Sequence, residues 1–130
     1  MRYLLLVIFV MMSSNSIAED KIETYCEGAQ TQLALNECSS KAAKESEEEL
    51  EKIYNTAIQQ LQKYNQSAKE ELFIETHKIW TEYVLMNCEV EAGKRQDSGS
   101  IWPYLMNSCS ARMNHQRIKE IKTTISIEEE

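Results

Sequence analysis

Between residues 50 and 64, apolar side chains recur at steps of three and four: Leu50, Ile53, Tyr54, Ala57, Ile58, Leu61 and Tyr64. That spacing lines one face of an α-helix and cannot line one face of a strand. It predicts an amphipathic helix of about 25 residues beginning near Ser39 or Ser40. Its outer face carries Glu45, Glu47, Glu48, Glu49 and Glu51, which reads as a solvated face and not as a metal site. Asn65-Gln66 breaks the pattern, and Ser67 with Glu70 three residues later reads as the capping box of a second helix. Leu72, Phe73, Thr76, Ile79, Trp80, Tyr83 and Val84 then form one face, which Cys88 extends by a turn. Gly93 can stop this helix, Ser98-Gly99-Ser100 can turn the chain, and Pro103 suits the first turn of a third helix. That helix shows Leu105, Cys109, Met113, Ile118, Ile121 and Ile125, with Glu128–Glu130 as a frayed tail.

Composition agrees. With 3 Gly and 1 Pro in 130 residues, the chain lacks the turn formers of an all-β fold. The low Gly and Pro, with an apolar content of 42%, argue against collagen-like, linker-like and disordered classes. A net charge of −7 argues against a nucleic-acid binder that needs a basic face. The expected architecture is all-α, a small disulfide-stapled antiparallel helical hairpin or three-helix bundle.

Residues 1–18 read as a secretory signal peptide. Arg2 supplies the positive start, Tyr3 to Met12 the apolar run, and Ser16 with Ala18 the small-x-small cleavage pattern. The run is shorter than the roughly 20 residues a membrane-spanning helix needs. No cysteine directly follows the cleavage point, where Glu19 stands, which speaks against a lipid anchor. Residues 19–130 are then a single domain that is periplasmic or secreted and does not insert in a membrane. Its first part, residues 19–38, has no clear period beyond a short helical turn around Ala29–Leu35.

Export gives the cysteines their meaning. Cys26, Cys38, Cys88 and Cys109 form an even set bound for an oxidising compartment. The three-helix layout places them near one pole, so all three pairings are geometrically open. The local pairs, Cys26–Cys38 and Cys88–Cys109, are favoured. The first requires the chain to fold back, because a straight helix would part these residues by about 18 Å. A zinc site using these cysteines with His77 or His115 is the weaker reading, since no two cysteines have finger-like spacing.

Catalytic constellations are absent. The chain has no phosphate loop, dinucleotide fingerprint, His-Glu-x-x-His or Gly-x-Ser-x-Gly. His77 reads as a neutral histidine at the core edge, and His115, in the polar run Arg112–Lys119, as exposed. No metal or other cofactor is expected, and no enzyme activity. The stretch from Gly93 to Pro103 instead reads as a recognition loop, with Lys94, Arg95, Ser98, Gly99, Ser100 and Trp102 as candidate partner-binding residues. The competing reading makes it a plain connector with Trp102 turned into the core.

Several residues, in order, match a known family. They are Cys26 with Gln30 and Gln32; Asn36-Glu37-Cys38; Leu50 with Tyr54; Leu72, Trp80, Tyr83 and Cys88; Ser98-Gly99-Ser100; and Cys109 with Arg117 and Ile121. The chain resembles the LprI-like family of small exported helical proteins, some of which inhibit lysozyme. It departs from the family pattern at His77 (usually Gln), Val84-Leu85 (usually Arg-Asp), Glu51, Asn114 and Ser98. The resemblance implies a non-enzymatic binding protein whose partner is a lysozyme. Two physical points agree: many lysozymes are basic and would attract an acidic chain, and their cleft uses two carboxylates that Lys94 or Arg95 could engage. The alternative is a periplasmic accessory or immunity-type protein that binds another exported effector. An unrecognised hydrolase is a third possibility.

Overall fold

The computed structural model describes residues 26–127, so residues 1–18, expected to be a signal peptide, and the Glu128–Glu130 tail fall outside the described residues. Four helices follow in order: α1 (Gln32–Lys63), α2 (Ser67–Ala92), the single turn α3 (Arg95–Ser98) and α4 (Trp102–Ile125), with a 3₁₀ turn, Gly99–Ile101, leading into α4. No strand occurs among the described residues. The architecture is all-α, with α1 and α4 parallel and α2 running back between their ends.

Helix α1 starts earlier than the apolar periodicity predicts. Thr31 is its N-cap, its hydroxyl accepting from the Ala34 amide at 3.2 Å. The additional turns show no apolar period because they pack through small and polar residues. Ser39, Ala42 and Ser46 are buried there, as are Ala111 and Asn114 of α4. The Asn107 side-chain amide donates to the Ser39 hydroxyl at 3.3 Å, and that of Asn114 donates to Ser46 at 3.0 Å. Both pairs are 68 residues apart, so the two helices keep one register through this half. The other half is apolar: Leu50, Ala57, Leu61, Phe73, Ile118, Ile121 and Ile125 form one buried cluster. Tyr64, which continues the α1 stripe in sequence, lies past its end and is exposed.

The α1–α2 connection is Tyr64-Asn65-Gln66. Asn65 takes a left-handed conformation (φ 54°), which asparagine tolerates better than most residues. The amides of Asn65 and Gln66 satisfy the last carbonyls of α1, those of Gln62 and Leu61. The capping box does not form. Ser67 is already the first helical residue, Gln66 is the N-cap without a side-chain bond, and Glu70 instead accepts from the Gln62 side chain at 2.7 Å.

Helix α2 carries two apolar stripes, not the single one its sequence presents. Phe73, Val84 and Cys88 are buried and Trp80 packs beside them, whereas Leu72, Ile79 and Tyr83 face solvent. This helix leans on α4 more than on α1, which leaves space open between α1 and α2. Two disulfides tie one end of the molecule: Cys26–Cys38 holds the entering chain to α1, and Cys88–Cys109 joins α2 to α4.

Candidate functional site

The stretch from Gly93 to Pro103 is not an irregular loop. Gly93 ends α2 with φ 75°, where a β-carbon would also meet the Ser98 hydroxyl oxygen at 2.7 Å. That hydroxyl lies 2.7 Å from the Ala92 carbonyl and 3.0 Å from that of Lys94, so it serves the orphan end of α2. The Trp102 indole N–H donates to the Gly93 carbonyl at 2.9 Å, closing the turn at its base. From α1, the Asn36 side-chain amide donates to the Ser100 carbonyl at 3.0 Å, and Gln32 in turn donates to Asn36 at 3.0 Å. Pro103 sits in the first turn of α4, where its missing N–H costs nothing.

The six candidate residues therefore divide. Ser98, Ser100 and Trp102 build the turn, and Gly99 (φ 63°) lets the chain pass from α3 into the 3₁₀ turn. Lys94 and Arg95 are exposed, with the Arg95 guanidinium 5.4 Å above the Trp102 ring. Trp102 is half-buried, so it is neither a free recognition side chain nor a core residue. Gln32 and Asn36 were visible in the sequence only as resemblances, and their role as struts under the turn depends on α1 reaching this pole.

The space between α1 and α2 forms a cleft of about 690 Å³. Tyr54, His77 and Trp80 line it as a ladder of rings, with Tyr54 and His77 stacked at 4.3 Å and His77 and Trp80 at 5.5 Å; Phe73, in the apolar cluster outside the cleft, continues the ladder by stacking on Tyr54 at 5.3 Å. The Arg117 guanidinium lies 5.7 Å from the Trp80 ring. Burial, and then the Arg117 charge, hold the His77 imidazole below its ordinary value of 6.5, so it stays neutral at neutral pH. Its Nδ1 is buried without a hydrogen-bond partner among the described residues. Glu47, Glu51 and Glu82 stand exposed on the rim. The nearby Thr81 hydroxyl donates to the His77 carbonyl at 3.0 Å.

His115 is not exposed as its polar run implies. The parallel packing of α4 on α1 turns it inward, leaving its side chain 18% exposed with Nδ1 3.9 Å from Glu49. No group of three His, Cys, Asp or Glu among the described residues could hold a metal ion, and the cysteines are all engaged in disulfides.

A braced basic turn at one pole and an open aromatic cleft along one side thus mark a small disulfide-stapled all-α domain. Residues 25–121 match the family model described as lysozyme inhibitor LprI, and the chain belongs to that family. No curated protein and no solved structure matches it.

Proposed function

We propose that the protein is an exported, non-enzymatic inhibitor of lysozyme whose Lys94–Arg95 turn obstructs the enzyme's cleft. The observation that carries this reading is the bracing of the turn. Two cations project from a segment fixed by Trp102, Ser98 and Asn36, so little conformational entropy is lost when they are buried against a partner. Lysozyme cuts its substrate with a pair of carboxylates, and cations placed there would both fill the cleft and neutralise its chemistry. The net charge of −7 steers the rest of the molecule toward a basic enzyme. The family's description and the two disulfides support export to the periplasm or beyond.

The test is a titration of the oxidised protein against chicken-type, goose-type and invertebrate-type lysozymes acting on cell walls. Inhibition should saturate near one-to-one and weaken as salt rises. Lys94→Ala with Arg95→Ala should weaken it by about 10- to 100-fold without loss of helicity. Inhibition unchanged in that variant would dismiss the turn as the blocking element.

One feature favours a second reading, an accessory or immunity-type protein for another exported effector. The family's usual Arg-Asp pair is replaced by Val84, which is buried, and Leu85, which lines the cleft. A partner that reads the Arg-Asp pair would not read this surface. Capture of a non-lysozyme effector by the protein, with no inhibition of any lysozyme, would establish this reading over the first.

A further inference from the structure

The outward stripe of α2 has a regular order. Leu72, Thr76, Ile79, Tyr83, Met86 and Val90 follow at alternating steps of four and three. This is the seam spacing of a coiled coil, sustained over about 27 Å of helix. The five apolar members are 55–83% exposed, so no part of the described chain covers them. Immediately before Thr76, Tyr83 and Val90 stand Glu75, Glu82 and Glu89, a row of exposed carboxylates seven residues apart that borders the seam. The opposite border is formed by Phe73, Trp80 and Asn87, which turn toward the bundle.

That pattern selects its occupant. A second copy docking antiparallel would set one glutamate row against the other. A second copy docking parallel would set it against Phe73, Trp80 and Asn87, none of which is basic. Anionic lipid would meet the same three carboxylates. A helix that carries its own apolar seam flanked by Lys or Arg satisfies both features at once: its apolar face covers the stripe and its cations pair along the glutamate row. We propose that the α2 seam is a docking surface for a basic amphipathic helix of another protein. It is separate from the Lys94–Arg95 turn and does not depend on lysozyme being the target.

The probe is a synthetic three-heptad peptide of about 21 residues with Leu and Ile at seam positions and Lys on its flanks. It is titrated calorimetrically into the oxidised full-length chain, with a Glu-flanked twin as the comparison. The Lys-flanked peptide should bind one-to-one and the twin should not. Ile79→Glu should weaken binding at least about 10-fold, although it adds a negative charge that would strengthen mere charge attraction. Ile79 is exposed, and unchanged helicity and Tm confirm that the variant is folded. The triple variant Glu75→Lys, Glu82→Lys, Glu89→Lys should reverse the preference toward the Glu-flanked twin. Four results would overturn the proposal: no binding at about 100 μM peptide, affinity unchanged or raised by Ile79→Glu, self-association of the protein that Ile79→Glu abolishes, or binding to anionic vesicles in place of the peptide.

Discussion

Replacing Cys88 and Cys109 together by alanine should cost more than replacing Cys26 and Cys38. The bridges span 21 and 12 residues. In the chain-entropy treatment each closure removes about 3 kcal/mol of unfolded-state freedom, the longer one about half a kcal/mol more. Burial widens the gap. Cys88 and Cys109 are 1% and 3% exposed and pack with Val84 and Met113, so deleting two sulfur atoms adds roughly 1–2 kcal/mol of lost contact. Cys38 is half-buried, and Cys26, though 8% exposed, packs in neither apolar cluster, so this pair loses less. The expected costs are therefore about 4–5 and about 3 kcal/mol, against a total of about 5–15 kcal/mol for a domain of this kind. Urea unfolding followed by circular dichroism reads both values. The α2–α4 bridge also lies at the base of the Lys94–Arg95 turn, so its loss should weaken inhibition more than loss of the Cys26–Cys38 bridge. Equal costs for the two variants, or less than about 1 kcal/mol for Cys88→Ala with Cys109→Ala, would refute the reasoning.

Three further outcomes are expected. Ser46→Ala leaves the Asn114 amide donor without its partner and should cost about 1–2 kcal/mol in denaturation; adding Asn114→Leu should recover part of that loss, and simple additivity would contradict the pairing. His77 has a folded pKa held below 6.5 by burial and Arg117, so the unfolded chain binds the proton first. Stability should thus be full above about 6.5, fall as pH drops from there toward the folded value, and level off below it; His77→Gln should flatten this part of the pH–Tm profile. Trp102→Phe removes the indole bond to Gly93 at a cost of about 1 kcal/mol, and the inhibition titration should weaken several-fold as the turn loosens.

The legible parts of the fold are those written in backbone chemistry. Asn65-Gln66, Gly93 and Pro103 mark helix ends because few other residues suit those conformations. The start of α1 was hidden because Ser39, Ala42 and Ser46 pack closely without being hydrophobic, so no periodicity betrays them. The division of α2 was hidden by doublets: in Leu72-Phe73, Ile79-Trp80 and Tyr83-Val84 one neighbour faces in and the other out. Sequence spacing cannot separate members of such a pair, because adjacent positions lie only about 100° apart. The cleft was invisible for another reason, since it arises from α2 leaning toward α4. The turn between α2 and α4 was locatable from Gly93 and Pro103, but its bracing was not, because its struts Gln32 and Asn36 come from a distant part of the chain.

The shared register of α1 and α4 determines where such a chain can change length over evolution. One residue inserted within either helix between the Ser39–Asn107 and Ser46–Asn114 pairs would rotate everything beyond it by about 100° and break the second pair. That half of α1 and α4 is thereby closed to insertion, whereas residues gained or lost between Gly93 and Pro103 would spare the paired register and disturb only the bonds that brace the turn. A change of length there would remodel the pole that presents Lys94 and Arg95 while the paired frame of α1 and α4 stays as it is.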